Sequence, residues 1–67
     1  MIGTITRPAG ELEPGTIALA NGMSVSFLSL NLSRELEEAG PGTQVEFDLE
    51  LEGLDGGPQA FNIREVH

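Results

Sequence analysis

The sequence predicts an all-β fold: five short antiparallel strands that make a closed or partly open five-stranded antiparallel barrel or a small sandwich, with a short helical turn in the loop between the third and fourth strands. Two observations carry this. Gly and Pro punctuate the chain at Pro8-Ala9-Gly10, Pro14-Gly15, Asn21-Gly22, Gly40-Pro41-Gly42, Gly53 and Gly56-Gly57-Pro58. Turn residues at this spacing separate short strands. Between two of these breaks, Val45, Phe47, Leu49 and Leu51 alternate with Glu46, Asp48, Glu50 and Glu52. That period of two belongs to a strand with one face on a core and the other in water. A length of 67 residues allows one domain, residues 1–67. Closing five short strands into a barrel removes edges that would otherwise invite aggregation.

The elements follow in order. Residues 2–6 are rich in β-branched side chains and form the first strand, which Pro8 ends because proline cannot donate to a ladder. Residues 15–20 form the second, with Ile17 and Leu19 on one face. Asn21-Gly22 is a two-residue hairpin signal, since both residues tolerate positive φ in a type I′ turn. The third strand covers residues 23–30; Met23, Val25 and Phe27 face one way, and Leu28-Ser29-Leu30 breaks the phase, a sign of a bulge or strand end. Residues 31–39 hold one or two helical turns, capped by Asn31 or Ser33 and ended by Gly40. The fourth strand covers residues 43–52 and the fifth residues 58–66, with Ile63 and Phe61 as core candidates.

Composition excludes several classes of function. There is no Cys, which removes disulfides and thiolate metal sites, and His67 stands alone. No metal and no cofactor is expected. Three Arg and no Lys face eleven Asp plus Glu, a net charge of −8. A field of that sign repels phosphate backbones and anionic membranes and favours a basic protein partner or plain solubility. No run approaches the roughly 20 apolar residues of a membrane span. Met1-Ile2-Gly3-Thr4 carries no secretion signal, and with the lack of Cys this gives a cytoplasmic expectation.

The last third reads Gly42-Thr43-Gln44-Val45-Glu46-Phe47-Asp48-Leu49-Glu50, then Gly57-Pro58-Gln59-Ala60-Phe61-Asn62-Ile63. This resembles the bacterial cold-shock proteins, whose C-terminal half reads G-Q-x-V-x-F-x-I/V and then G-P-Q-A-x-N-V. Gly3-Thr4-Ile5 takes the place of the family's opening G-x-V. Gly15 falls on the second glycine of K-G-F-G-F-I, and Ile17 on the end of that motif. Asn21-Gly22 replaces the D-G turn, and Val25 and Phe27 take the two inward valines of V-F-V-H. The resemblance implies an oligonucleotide-binding-type, cold-shock-like Greek-key barrel.

The departures bear on function. The family stacks bases on aromatic rings from the first three strands, each worth about 1–3 kcal/mol, within a basic surround. Here the family's W-F after the first strand is Arg7-Pro8, its K-G-F-G-F stretch is Leu12-Glu13-Pro14-Gly15-Thr16, and its V-F-V-H-F stretch is Val25-Ser26-Phe27-Leu28-Ser29. The rings are gone from the stacking positions and the lysines with them. The resemblance therefore implies a former nucleic-acid face, remodelled at Thr6, Arg7, Pro14, Thr16, Ser26, Leu28 and Ser29, that no longer binds nucleic acid in the family's usual way. Thr4, Leu12 and these residues make a mild, mostly neutral surface able to dock a protein.

A second candidate surface is the acidic row Glu46, Asp48, Glu50 and Glu52. Carboxylates on one strand face recur about every 6.8 Å, close to the phosphate spacing of one DNA strand. With Glu35, Glu37 and Glu38 the row is a candidate protein-binding face, a nucleic-acid mimic for a basic partner, against the ordinary alternative of a solvated outer face. Enzyme chemistry has no support. Glu11 and Glu13 lack a cleft that would separate their pKa values, Ser24, Ser26 and Ser29 lack a neighbouring base, His67 is terminal, and Gly56-Gly57 lacks the Lys and helix of a phosphate cradle. The expectation is a non-catalytic, regulatory binding module acting through protein contacts. The alternative is a divergent cold-shock protein that binds single strands weakly through a shifted site built on Arg7, Arg34 and Arg64.

Overall fold

The computed structural model describes residues 1–53 and 57–66, so His67 and the Gly56 half of the expected Gly56-Gly57 turn lie outside the described residues. Five strands are present: β1 (Ile2–Arg7), β2 (Gly15–Ala18), β3 (Ser24–Phe27), β4 (Gln44–Glu50) and β5 (Gln59–Glu65). They close into a barrel in the order β1-β2-β3-β5-β4, with β4 returning to β1. Among the described residues the remaining regular structure is two 3-10 turns, Ser29–Asn31 and Arg34–Leu36.

The sheet is mixed, where antiparallel pairing throughout was expected. β3 and β5 run parallel, joined at Ser26↔Gln59 and Phe27↔Ala60. Strand direction explains this. After two hairpins β3 runs the same way as β1. The next segment carries β4 past β3 to pair antiparallel with β1, and β5 then folds back antiparallel on β4. β5 must therefore run in the direction of β3, its neighbour at closure.

Alternation sets the core. Ile5, Ile17, Val25, Phe27, Val45, Phe47, Ala60 and Ile63 point inward and are buried, and Leu36 from the second 3-10 turn joins them. Fully burying side chains of this kind contributes about 1.5–3 kcal/mol each. The two buried rings are large for a barrel this narrow, and two glycines make room. A side chain on Gly15 would run into the Phe27 ring and the Arg7 carbonyl, and one on Gly3 into Ile17, the Ala18 carbonyl and Phe47. Glycine in a strand interior commonly marks such a close approach.

Several local expectations shift by a residue or two. The β2–β3 turn has three residues, Ala20 to Gly22, inside the Leu19–Met23 pair, not two. The Gly22 N–H donates to Leu19 O at 3.1 Å and the Leu19 N–H to Met23 O at 2.8 Å, and only Gly22 has positive φ, at 86°. That pattern fits a type I turn closed by a glycine bulge rather than a type I′ turn. It leaves Met23 at the mouth of the hairpin, 55% exposed instead of inward. Within residues 31–39 the expected helical turn is the 3-10 turn Arg34–Leu36, with Ser33 at its N-cap position, and the backbone just before it is used elsewhere. Leu32 bridges to Ile63 and the Ser33 N–H donates to Ile63 O at 2.8 Å. β4 ends at Glu50, so Leu51 is 73% exposed instead of continuing the apolar face.

β5 carries a bulge that decides which side chains reach the surface. Ala60 and Ile63 are three apart, an odd spacing that strict alternation cannot bury on one face. The register slips between Glu46↔Arg64 and Asp48↔Phe61, and Asn62 at the slip has φ of 53°. The extra residue puts both Ala60 and Ile63 inside and leaves Phe61 outside, 38% exposed. Phe61 is thus a surface ring, not the core residue expected. Asn tolerates left-handed backbone better than other residues with a side chain, and its Nδ2 also donates to Asp48 Oδ2 at 3.1 Å. Asn62→Ala is expected to cost about 1–2 kcal/mol, and Asn62→Gly less, because glycine keeps the conformation. Urea denaturation of both variants checks the order, which a bulge of no energetic consequence would not reproduce.

Candidate binding face

The outward positions form rows around the barrel. Arg7, Thr16, Ser26, Gln59 and Glu50 are successive cross-strand partners through β1, β2, β3, β5 and β4. Hydroxyls in and beside this row are tied to backbone: Thr6 Oγ1 donates to Thr16 O at 3.3 Å, and Ser26 Oγ to Pro58 O at 3.4 Å. The row is polar and carries no ring.

One step beyond it the surface turns apolar. Leu28 follows Phe27 on β3 and Phe61 follows Ala60 on β5; since Phe27 and Ala60 are partners in the parallel pair, Leu28 and Phe61 emerge side by side. Leu30 stands next to them on the first 3-10 turn, 79% exposed, and Leu12 on the β1–β2 loop, 97% exposed. Two concavities share Leu28 and Leu30. One, about 380 Å³, is also lined by Asn31, Glu50, Glu52, Gly53, Gln59 and Phe61. The other, about 240 Å³, is also lined by Gly10, Glu11, Leu12, Glu13, Pro14 and Ser29. Pro14, Leu28 and Ser29 of the remodelled face therefore meet here, with Arg7, Thr16 and Ser26 in the polar row adjoining them and Thr6 beside it. Phe61 and Leu30 are the members that sequence reasoning did not place on this face.

The acidic row is divided rather than continuous. Arg64 Nη2 donates to Glu46 Oε2 at 2.8 Å and lies 3.7 Å from Asp48 Oδ1. Arg64 Nη1 donates to Asn62 O at 2.6 Å, which fixes the guanidinium over the strand. Glu46 and Asp48 are thus engaged by a cation from the next strand. Glu50 and Glu52 belong instead to the rim of the apolar concavity. Partly exposed pairs of this type contribute about 0–1 kcal/mol to stability; their greater effect is to neutralise one end of the row.

The arginines are dispersed. Arg7 Nη2 pairs with Glu13 Oε2 at 3.5 Å, Arg64 is held on β4, and Arg34 lies on the second 3-10 turn. No arginine lines either concavity. Among the described residues no group of His, Asp or Glu side chains is arranged to hold a metal ion, and no helix is long and apolar enough to cross a membrane. No family model matches the chain, and no curated protein matches its sequence.

Proposed function

We propose that this chain is a non-catalytic binding module: an oligonucleotide-binding-type Greek-key barrel of the cold-shock kind whose original face has become a protein-docking surface. The strand order and the parallel closure of β3 on β5 support the barrel type. The observation that carries the functional reading is the cluster of exposed Leu12, Leu30 and Phe61 around half-buried Leu28, on the face whose resemblance positions have lost their rings. Apolar side chains grouped on a small surface with a polar rim mark contact sites.

The face is poorly suited to single strands. Phe61 offers one ring, worth about 1–3 kcal/mol if a base stacks on it, and Glu50 and Glu52 flank it. Phosphate would meet carboxylate there, with no arginine on either concavity. A continuous phosphate-like acidic row is not favoured either, because Arg64 engages Glu46 and Asp48.

The test has two arms. An oligothymidine titration at low salt, followed by amide chemical shifts, is expected to show no saturation below about 1 mM, where binding free energy is only about −4 kcal/mol. Micromolar binding that weakens with salt would sink the proposal. In the second arm, a photocrosslinking amino acid at Leu30 is expected to capture protein in the source cell. The same group at Gln44, at the opposite end of β4, is expected not to.

A further inference from the structure

Resting on the protein-docking reading, we propose that the occupant of this face is a short cationic segment carrying two large apolar anchors. The two concavities adjoin through Leu28 and Leu30. One presents Phe61 and the other Leu12, so each offers a separate apolar seat. The rim fixes the sign of the partner. Among the described residues every ionisable side chain lining the two is a carboxylate: Glu50 and Glu52 on one side, Glu11 and Glu13 on the other. Arg7 is placed against Glu13 at 3.5 Å. An acidic or neutral segment would leave Glu11, Glu50 and Glu52 facing its own charge or none. A segment with Lys or Arg beside its anchors meets them directly, a complementarity that governs specificity and association rate more than raw affinity.

Size limits the occupant as well. The barrel spans 27 Å along its longest axis, so about eight extended residues, at roughly 3.3 Å each, cross the whole face. Two anchors within one short segment therefore suffice. The polar row Thr16, Ser26 and Gln59 bounds the site along the barrel wall.

The test uses three labelled synthetic peptides of equal length: leucine with lysine, serine with lysine, and leucine with glutamate. Each is titrated into the intact protein, with amide shifts and fluorescence anisotropy recorded. The leucine–lysine peptide is expected to perturb Leu12, Leu28, Leu30, Phe61 and Glu50 together. The serine–lysine peptide is expected to bind at least tenfold more weakly, and the leucine–glutamate peptide not at all. Leu30→Ser should weaken leucine–lysine binding about fivefold, and Glu50→Gln with Glu52→Gln by a similar factor that shrinks as salt is raised. These positions are exposed, so the variants keep the fold.

Equal binding of the two lysine peptides, or shifts spread over Glu35, Glu37 and Glu38, would reduce the effect to bare charge and overturn the proposal. Binding of the leucine–glutamate peptide on the same residues would overturn the cationic assignment while leaving the protein-docking reading intact. Saturable binding of oligothymidine with no peptide binding would overturn both.

Discussion

Phe27→Ala is expected to bring the protein close to unfolding at room temperature. Phe27 is fully buried, its ring lies over Gly15, and its strand supplies one side of the short parallel seam. Truncating a buried phenylalanine costs about 3–5 kcal/mol through lost transfer energy and the cavity left behind. A domain of 67 residues has roughly 3–10 kcal/mol of stability in total. The loss therefore removes most of the margin. Urea denaturation followed by far-ultraviolet circular dichroism reads it directly. Phe61→Ala is the control: the same residue type at the surface should shift stability by about 0.5 kcal/mol or less. Equal midpoints for the two variants would mean that the barrel interior is not where the structure places it.

Gly15→Ala is expected to cost about 3 kcal/mol, at the upper end of what overpacking exacts in a closed interior. The added methyl would meet the Phe27 ring and stand 2.6 Å from the Arg7 carbonyl oxygen, a backbone atom held in the β1–β2 ladder. Neither can yield without disturbing a strand. Gly10→Ala, where nothing lies within 4 Å, should be neutral or slightly stabilising. Coupling supplies a sharper check. Phe27→Leu removes ring atoms that Gly15→Ala would strike, so the double variant should be more stable than the sum of the two losses predicts. Strict additivity would show that the methyl clashes only with backbone.

The fourth strand was the most legible element because its chemistry alternates without a break: Val45 and Phe47 are buried, and Glu46 and Asp48 face out. Alternation does not say where a strand stops, and Leu51 fell on the wrong side of that end. Nor does it name a partner. The parallel contact between β3 and β5 follows from strand direction summed around the barrel, a global property that no local run of residues carries. Residues 31–39 have helical spacing at Leu32 and Leu36, and one short turn, Arg34–Leu36, forms behind Ser33 as expected. The hydrogen bond from the Ser33 N–H to Ile63 O fixes where that turn begins, a tertiary pairing no local run of residues carries.

The candidate face was half legible. Pro14, Leu28 and Ser29 were visible as substitutions at positions where the resemblance expects rings and charge. Phe61 was not, because its direction depends on the bulge at Asn62. The odd spacing of Ala60 and Ile63 was the available signal, had both been taken as core. Arg64 was read as a possible phosphate contact; its engagement with Glu46 and Asp48 depends on the β4–β5 register, which the bulge also sets.

The placement of β4 has a consequence for how the protein is made. β4 lies between β1 and β5, the first and last strands in the chain, and β3 waits for β5 to cover its open edge. A nascent chain that ends before residue 59 therefore has neither a closed barrel nor a covered β3. Its buried rings would be open to water on the ribosome, in a state prone to aggregation. Barrel closure is postponed until residues 59–65 have emerged, and then β5 completes two pairings in one step.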